Sequence, residues 1–165
     1  MFNIKAATTE DIPVIELLVE QIWRPTYEPI LTPVQIDYMV KLMYSKEELT
    51  KQLADQGHRF LLLYDDATPI GYASYSNTDT AGIYKLQKIY VHQAYQGKGV
   101  GKLFLNSVID AVKAAKGMIL ELNVNKYNNK ALLFYEKQGF VVYLEKDFDI
   151  GNGFWMNDYV MRKEL

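Results

Sequence analysis

Apolar positions along the chain keep a helical period in the first third and a strand period after it. The opening "FNIKAAT" alternates weakly and predicts a first strand. In "TTEDIPVIELLVEQIW", Ile12, Ile15, Leu18, Val19 and Ile22 recur at helical spacing, with Thr9 as a cap and Pro13 in the first turn. "RPTYEPILTP" breaks that pattern with three prolines and predicts a loop. Thr32 and Pro33 open a helix through "VQIDYMVKLMY", and Ser45 with Glu48 forms a capping box before "KEELTKQLADQ".

From His58 the period changes. "HRFLLLYDD", "PIGYASYS" and "GIYKLQKIYV" predict three strands. A helix follows, with Val100, Leu103, Phe104, Ser107, Val108, Ala111 and Val112 on one face and Gly117 as its C-cap. "MILELNV" is an apolar strand and "NNKALLFYEKQG" a short helix closed by Gly139. "FVVYLEKDF" and "WMNDYVMRKEL" form a hairpin around "DIGNG", whose exposed edge near "GNGFWMNDYV" could pair two copies into a homodimer. This order predicts a mixed sheet with helices on both faces, and a parallel pair at the β-α-β step from "IYV" to "MILELNV". Ligands of such sheets gather beyond the carboxyl ends of the strands.

Composition narrows the class. The 165 residues fit one domain spanning 1–165, without repeat or linker. There is no cysteine, so disulfides, thiolate metal sites and a cysteinyl acyl-enzyme are all excluded. No basic leader or long apolar run opens the chain, which predicts a cytoplasmic protein with no membrane partner. A net charge of −2 argues against a general nucleic-acid binder. Residues 1–57 hold nine acids against five bases, so the acidic part is the front. His58 has no partner at ligand spacing, and no metal site is expected.

The chemistry starts at "YQGKGVGKLF", Tyr95 to Phe104. A Walker loop is excluded because Gly101-Lys102 is followed by Leu103 and position 96 is glutamine. The dinucleotide fingerprint fails because its third glycine falls one place early. What remains is Q-x-x-G-x-G at Gln96, Gly99 and Gly101. Glycines there expose successive N–H groups and let a ligand approach, and a helix start adds orphan donors. A pyrophosphate suits such a loop, with Lys98, Lys102, Lys126 and Lys130 nearby in the pattern. The competing reading is a plain strand-to-helix turn with solvated lysines.

"LQKIYVHQAYQGKGVGKLF", then "LELNV", then "NNKALLFYEKQGF" resembles the GNAT superfamily of acetyl-CoA-dependent N-acetyltransferases, over residues 82–142. "IWRPTYEPILTP" and "GNGFWMNDYVMRKEL" look more loosely like bacterial polyamine acetyltransferases of the PaiA type. The resemblance implies an α+β, mixed α/β fold with a central, mostly antiparallel sheet of about seven strands and helices on both faces. It implies that the backbone of Ile89, Tyr90 and Val91 pairs with the pantetheine arm of acetyl-CoA. Gln96, Gly97, Lys98, Gly99, Val100, Gly101 and Lys102 would hold the pyrophosphate, Asn128 would touch the cofactor arm, and Tyr135 would stand near the thioester sulfur. A tyrosine with a pKa near ~10 is protonated at neutral pH and can give its proton to a leaving thiolate, whose conjugate acid lies near ~8.5.

The attacking ammonium, near ~10.4, must first lose a proton at a cost of about 4–5 kcal/mol at pH 7. Some family members use a glutamate on the strand before the loop, where this chain has Lys85. Asp79, Glu121, His92 and a relayed water all stay open as the base. The amine acceptor is expected against the acidic front, at Trp23, Tyr27 and Glu28, with Tyr72 and Tyr75 on a neighbouring strand. A small polyamine-like amine attacking directly in a ternary complex fits these residues. An acyl-CoA sensor without catalysis and a peptide N-acetyltransferase are the alternatives.

Overall fold

The computed structural model describes residues 1–165. Seven strands form one sheet: β1 Phe2–Ala6, β2 Arg59–Asp65, β3 Thr68–Asn77, β4 Ile83–Val91, β5 Ile119–Asn125, β6 Val141–Gly151 and β7 Phe154–Glu164. Their order is β1-β2-β3-β4-β5-β7-β6. Every neighbouring pair is antiparallel except β4 and β5, which run parallel as the connection through the intervening helix requires. The sheet is thus mixed and mostly antiparallel, with helices on both faces. No helix is long and apolar enough to cross a membrane.

Two apolar cores sandwich the sheet. Helices α5 Val100–Ala114 and α6 Asn129–Lys137 cover one face, where Phe104, Val108 and Tyr135 pack on Leu86, Leu120 and Leu122. Helices α1 Ile12–Leu18, α3 Pro33–Tyr44 and α4 Lys46–Ala54 cover the other. There Ile15, Met39 and Leu49 pack with Phe60, Leu62, Tyr72 and Met156. The central strands β2 to β5 and β7 therefore divide their side chains between the two faces.

The predicted loop at "RPTYEPILTP" is partly helical. The chain continues from α1 through a π turn, Val19–Trp23, into α2, Arg24–Tyr27. A proline at position 25 would clash with a carbonyl in an unbroken α-helix. Widening the ladder avoids this, and the Arg24 N–H donates back to the Val19 carbonyl. Arg24 also bridges Glu20 at 2.8 Å and Asp37 on α3 at 2.6 Å, which ties the two helices together.

Other local expectations shift by a residue or two. Thr8 rather than Thr9 caps the first turn, in a reciprocal box with Asp11. The residue after α5 with left-handed backbone is Lys116, at φ 64°. Gly117 is needed for packing instead, since a Cβ there would lie 2.3 Å from Val112 Cγ1. The closing hairpin turns at Asn152 and Gly153, φ 53° and 78°, as a two-residue loop requires. Because β7 inserts beside β5, the free edge at this end of the sheet is β6 and not the segment "GNGFWMNDYV". Val141, Val142 and Tyr143 are exposed on it.

One consequence of the topology positions the site. β4 and β5 pair only from Ile83 to Leu86 and from Ile119 to Leu122. Beyond that they splay, and the edge of β4 at Ile89, Tyr90 and Val91 keeps only its β3 neighbours Ala73, Tyr72 and Gly71.

Candidate active site

A cavity of about 830 Å³ occupies this fork and runs to the start of α5. Its wall is the free edge of β4, the glycine loop, the end of β5, the start of α6 and the α2 turn. Ligand sites favour such concavities at strand ends.

The glycine loop builds the first end. Gly97 and Gly99 have φ of 76° and 78°, and with no atom near either Cβ position the need for glycine there is conformational. The first bond of α5 runs from the Leu103 N–H to the Gly99 carbonyl at 3.1 Å. The N–H groups from Gly97 to Lys102 form no bond to a carbonyl of the chain. They make a row of free donors at the positive end of a fifteen-residue helix. Lys102 and Lys130 line the same end. An anionic group such as a pyrophosphate fits this donor set.

The predicted cofactor residues separate by location. Ile89, Tyr90, Val91, Gln96, Gly97, Gly99, Gly101, Lys102 and Asn128 all line the cavity. Lys98 is exposed on the loop outside the lining, and Val100 is a core residue that could offer only its backbone. The Gln96 side chain is engaged within the chain: its amide donates to the Val91 carbonyl at 2.9 Å, and its oxygen accepts from Lys130. Asn128 caps α6, its side chain accepting from the Ala131 N–H at 3.3 Å.

Tyr135 stands in the middle. Its ring packs on Phe134 and Phe140, with centroids at 5.3 and 5.6 Å. The hydroxyl has no partner in the chain, and the residue lines the cavity. Burial, with Tyr90 nearby, pushes this phenol well above its ordinary range, so it stays protonated at any working pH.

On the second side the predicted acceptor residues disperse. Tyr27 lines the cavity, and its hydroxyl shares a 3.1 Å hydrogen bond with that of Tyr90. Trp23 is buried beside it, the two rings tilted at 38° with centroids 4.7 Å apart. Tyr72 is fully buried and donates to the Tyr44 hydroxyl at 2.9 Å. Tyr75 points into the opposite core. Glu28 is exposed beside Tyr27 and outside the lining. Sequence neighbours on a loop or strand need not share a face, and only Tyr27 of the five meets the cavity.

Of the three side chains expected as base candidates, two are engaged elsewhere and none lines the cavity. Glu121 accepts from Arg162 at 2.9 Å, His92 accepts the Ala94 N–H at 3.1 Å, and Asp79 is exposed beyond the far end of β3. Two charged residues not singled out from the sequence lie on the α1–α4 face. Lys88 is buried, donates to Gln52 Oε1 at 2.9 Å, and is lowered to about 8, chiefly by burial. Asp158, on β7, is buried between Met156 and Val160. A charged residue in step with two inward apolar neighbours was the signal available for both.

Residues 28–163 match the acetyltransferase (GNAT) domain model. An uncharacterised N-acetyltransferase of Mycobacterium bovis is 28% identical over 137 residues, covering 83% of this chain and 86% of that protein. A spermidine N(1)-acetyltransferase of Thermoplasma acidophilum is 26% identical over 166 residues, covering 98% and 96%. The crystal structure of the PaiA N-acetyltransferase from Thermoplasma acidophilum in complex with coenzyme A superimposes with a TM-score of 0.83. It has 25% identity and covers 100% of this chain and 99% of that one.

Proposed function

The chain belongs to the GNAT family of acetyltransferases, and on that footing we propose that it transfers the acetyl group of acetyl-CoA to a primary amine of a small polyamine-like acceptor. The observation that carries this reading is the single cavity with a row of free N–H donors at one end and the Tyr27–Tyr90 wall at the other. Likeness to the spermidine acetyltransferase along nearly the whole chain supports the acceptor class.

The roles are those that the family resemblance implies. The loop N–H groups, with Lys102, bind the pyrophosphate, and the free edge of β4 pairs with the pantetheine arm as an added strand would. Acetyl-CoA supplies an activated acyl group, which an amine can take in one direct displacement. Without a cysteine, the chain keeps no thiol for an acyl-enzyme. Tyr135 delivers the proton to the departing sulfur. The Tyr27 and Tyr90 rings present π faces and hydroxyls suited to an alkylammonium.

The test is thiol release from acetyl-CoA over a panel of diamines, polyamines, amino acids and peptides. Turnover on polyamines is the expected result. Binding of acetyl-CoA with silence on every amine would leave a sensor, and turnover on peptides alone would move the acceptor to protein N-termini.

Gly101 gives a separate check of the phosphate end. A Cβ there would meet the Phe134 ring at 3.6 Å, an ordinary contact, and helical alanine is preferred to glycine by about 1 kcal/mol. Gly101→Ala should therefore leave the melting temperature unchanged or raised. It should weaken acetyl-CoA binding by about tenfold, or ~1.4 kcal/mol, because the added methyl stands where the ligand approaches. Titration calorimetry reads this, and unchanged affinity would mean that the ligand keeps clear of this turn.

A further inference from the structure

We infer that Asp158 is the general base of the acetyl transfer, receiving a proton from the acceptor ammonium by way of bridging water. The inference rests on the proposed amine acceptor and adds the group that chemistry lacks.

The placement is geometric. Leu120, Leu122 and Val124 of β5 enter the α5–α6 core, so Asn123 and Asn125 face the other layer. In register, Asn125 is opposite Asp158 and Asn123 is opposite Val160. Asp158 is thus the diagonal neighbour of Asn123, which lines the cavity. Met156, two residues earlier on the same face, packs in the core that holds Tyr27. Asp158 therefore lies one strand in from the fork, behind Asn123 and near enough to Tyr90 to raise it. It is outside the residues that line the cavity, so its proton must travel by water.

Its environment is that of a working carboxyl group rather than a structural one. The residue is 7% exposed, and its Oδ1 is buried with no hydrogen-bond partner. A buried carboxylate that serves the fold is normally paired, because an unpaired one costs several kcal/mol. Glu121 on the same face follows that rule through Arg162. Asp158 does not, and it takes part in none of the chain's ion pairs. Burial raises it to about 6; Lys85 of β4 and Lys126 after β5 oppose that shift, and Asp147 of β6 adds to it. The facing phenols are Tyr90, whose own elevation is chiefly from burial with a part from Asp158, and Tyr27 of α2 bonded to it. Lys146, its register partner on β6, lies over the Phe148 ring instead.

The protons balance. Asp158 takes one from the ammonium, and the freed lone pair forms the C–N bond. As the C–S bond breaks, the sulfur receives the Tyr135 proton, and the nitrogen's second proton restores Tyr135 through solvent. Asp158 then releases its proton to water. The sum is one amide, one thiol and one proton.

Asp158→Asn tests this with polyamine and acetyl-CoA over pH 5–9. We expect kcat at pH 7.5 to fall about 100-fold, with the acceptor KM and acetyl-CoA affinity nearly unchanged. The wild-type acid limb near pH 6 should disappear. Stability gives a second readout. A carboxyl raised on folding opposes the fold once it ionises, so the asparagine variant should be the more stable at pH 7.5, with the gap closing toward pH 4. Unchanged kcat, a loss confined to KM and restored by saturating amine, or a destabilised variant would each overturn the assignment. Absence of thiol release by the wild-type protein on all amines would sink the proposed reaction itself, and the base with it.

Discussion

Tyr135→Phe is expected to lower kcat for amine acetylation by about 10³, equivalent to ~4 kcal/mol at the transition state. The fold should hardly notice. The ring keeps its contacts with Phe134 and Phe140, and the lost hydroxyl has no partner in the chain to leave unsatisfied. Acetyl-CoA affinity should stay within a factor of about three, since the deleted group acts on charge that develops only as sulfur departs. Because the phenol is raised far above neutrality by burial and by Tyr90, it sets no limb of its own between pH 5 and 9. Steady-state kinetics with calorimetry of acetyl-CoA binding makes the test. Near-normal turnover by the phenylalanine variant would reduce Tyr135 to a packing residue and leave thiolate protonation to solvent.

The second large effect falls on stability. Trp23→Ala should cost about 3–5 kcal/mol, the usual range for emptying an aromatic core position. Trp23 is 1% exposed and packs on Tyr27 at 4.7 Å and Tyr44 at 5.7 Å. Against a total of roughly 5–15 kcal/mol, that loss would bring many domains close to unfolding at room temperature. Urea unfolding of the variant beside Glu28→Gln reads the contrast, because the exposed glutamate should change stability by less than about 0.5 kcal/mol. If Trp23→Ala kept its stability and only raised the acceptor KM, the indole would have to reach the acceptor site. Trp23→Phe should recover most of the loss if volume is what matters.

The two predictions separate two kinds of aromatic residue that look alike in the sequence. Tyr135 and Trp23 both sit at helical spacing among apolar residues, and both are buried. Only the spread of β4 from β5 opens a space before Tyr135, while α3 closes over Trp23. Along β3, by contrast, Tyr72 and Tyr75 point into opposite cores because an odd spacing on a strand puts them on opposite faces.

By itself, the sequence determined what depends on short-range pattern: the seven strands, the helices around them, the parallel step, the hairpin, and the glycine loop at a helix start. Each of these is encoded within a dozen residues by periodicity, caps and turn chemistry. The "N-x-x-A-x-x-F-Y" helix after "LELNV" carried the family resemblance that implies a cofactor role for that loop. The tertiary structure decided what depends on long-range packing. It set the π turn that carries Pro25 into a helix, the insertion of β7 between β5 and β6, and which of five candidate acceptor residues meets the cavity. It also brought Asp158, 23 residues beyond Tyr135, onto β7 one strand in from the fork. No local period encodes that neighbourhood, because it arises from sheet order and register between segments far apart in the chain.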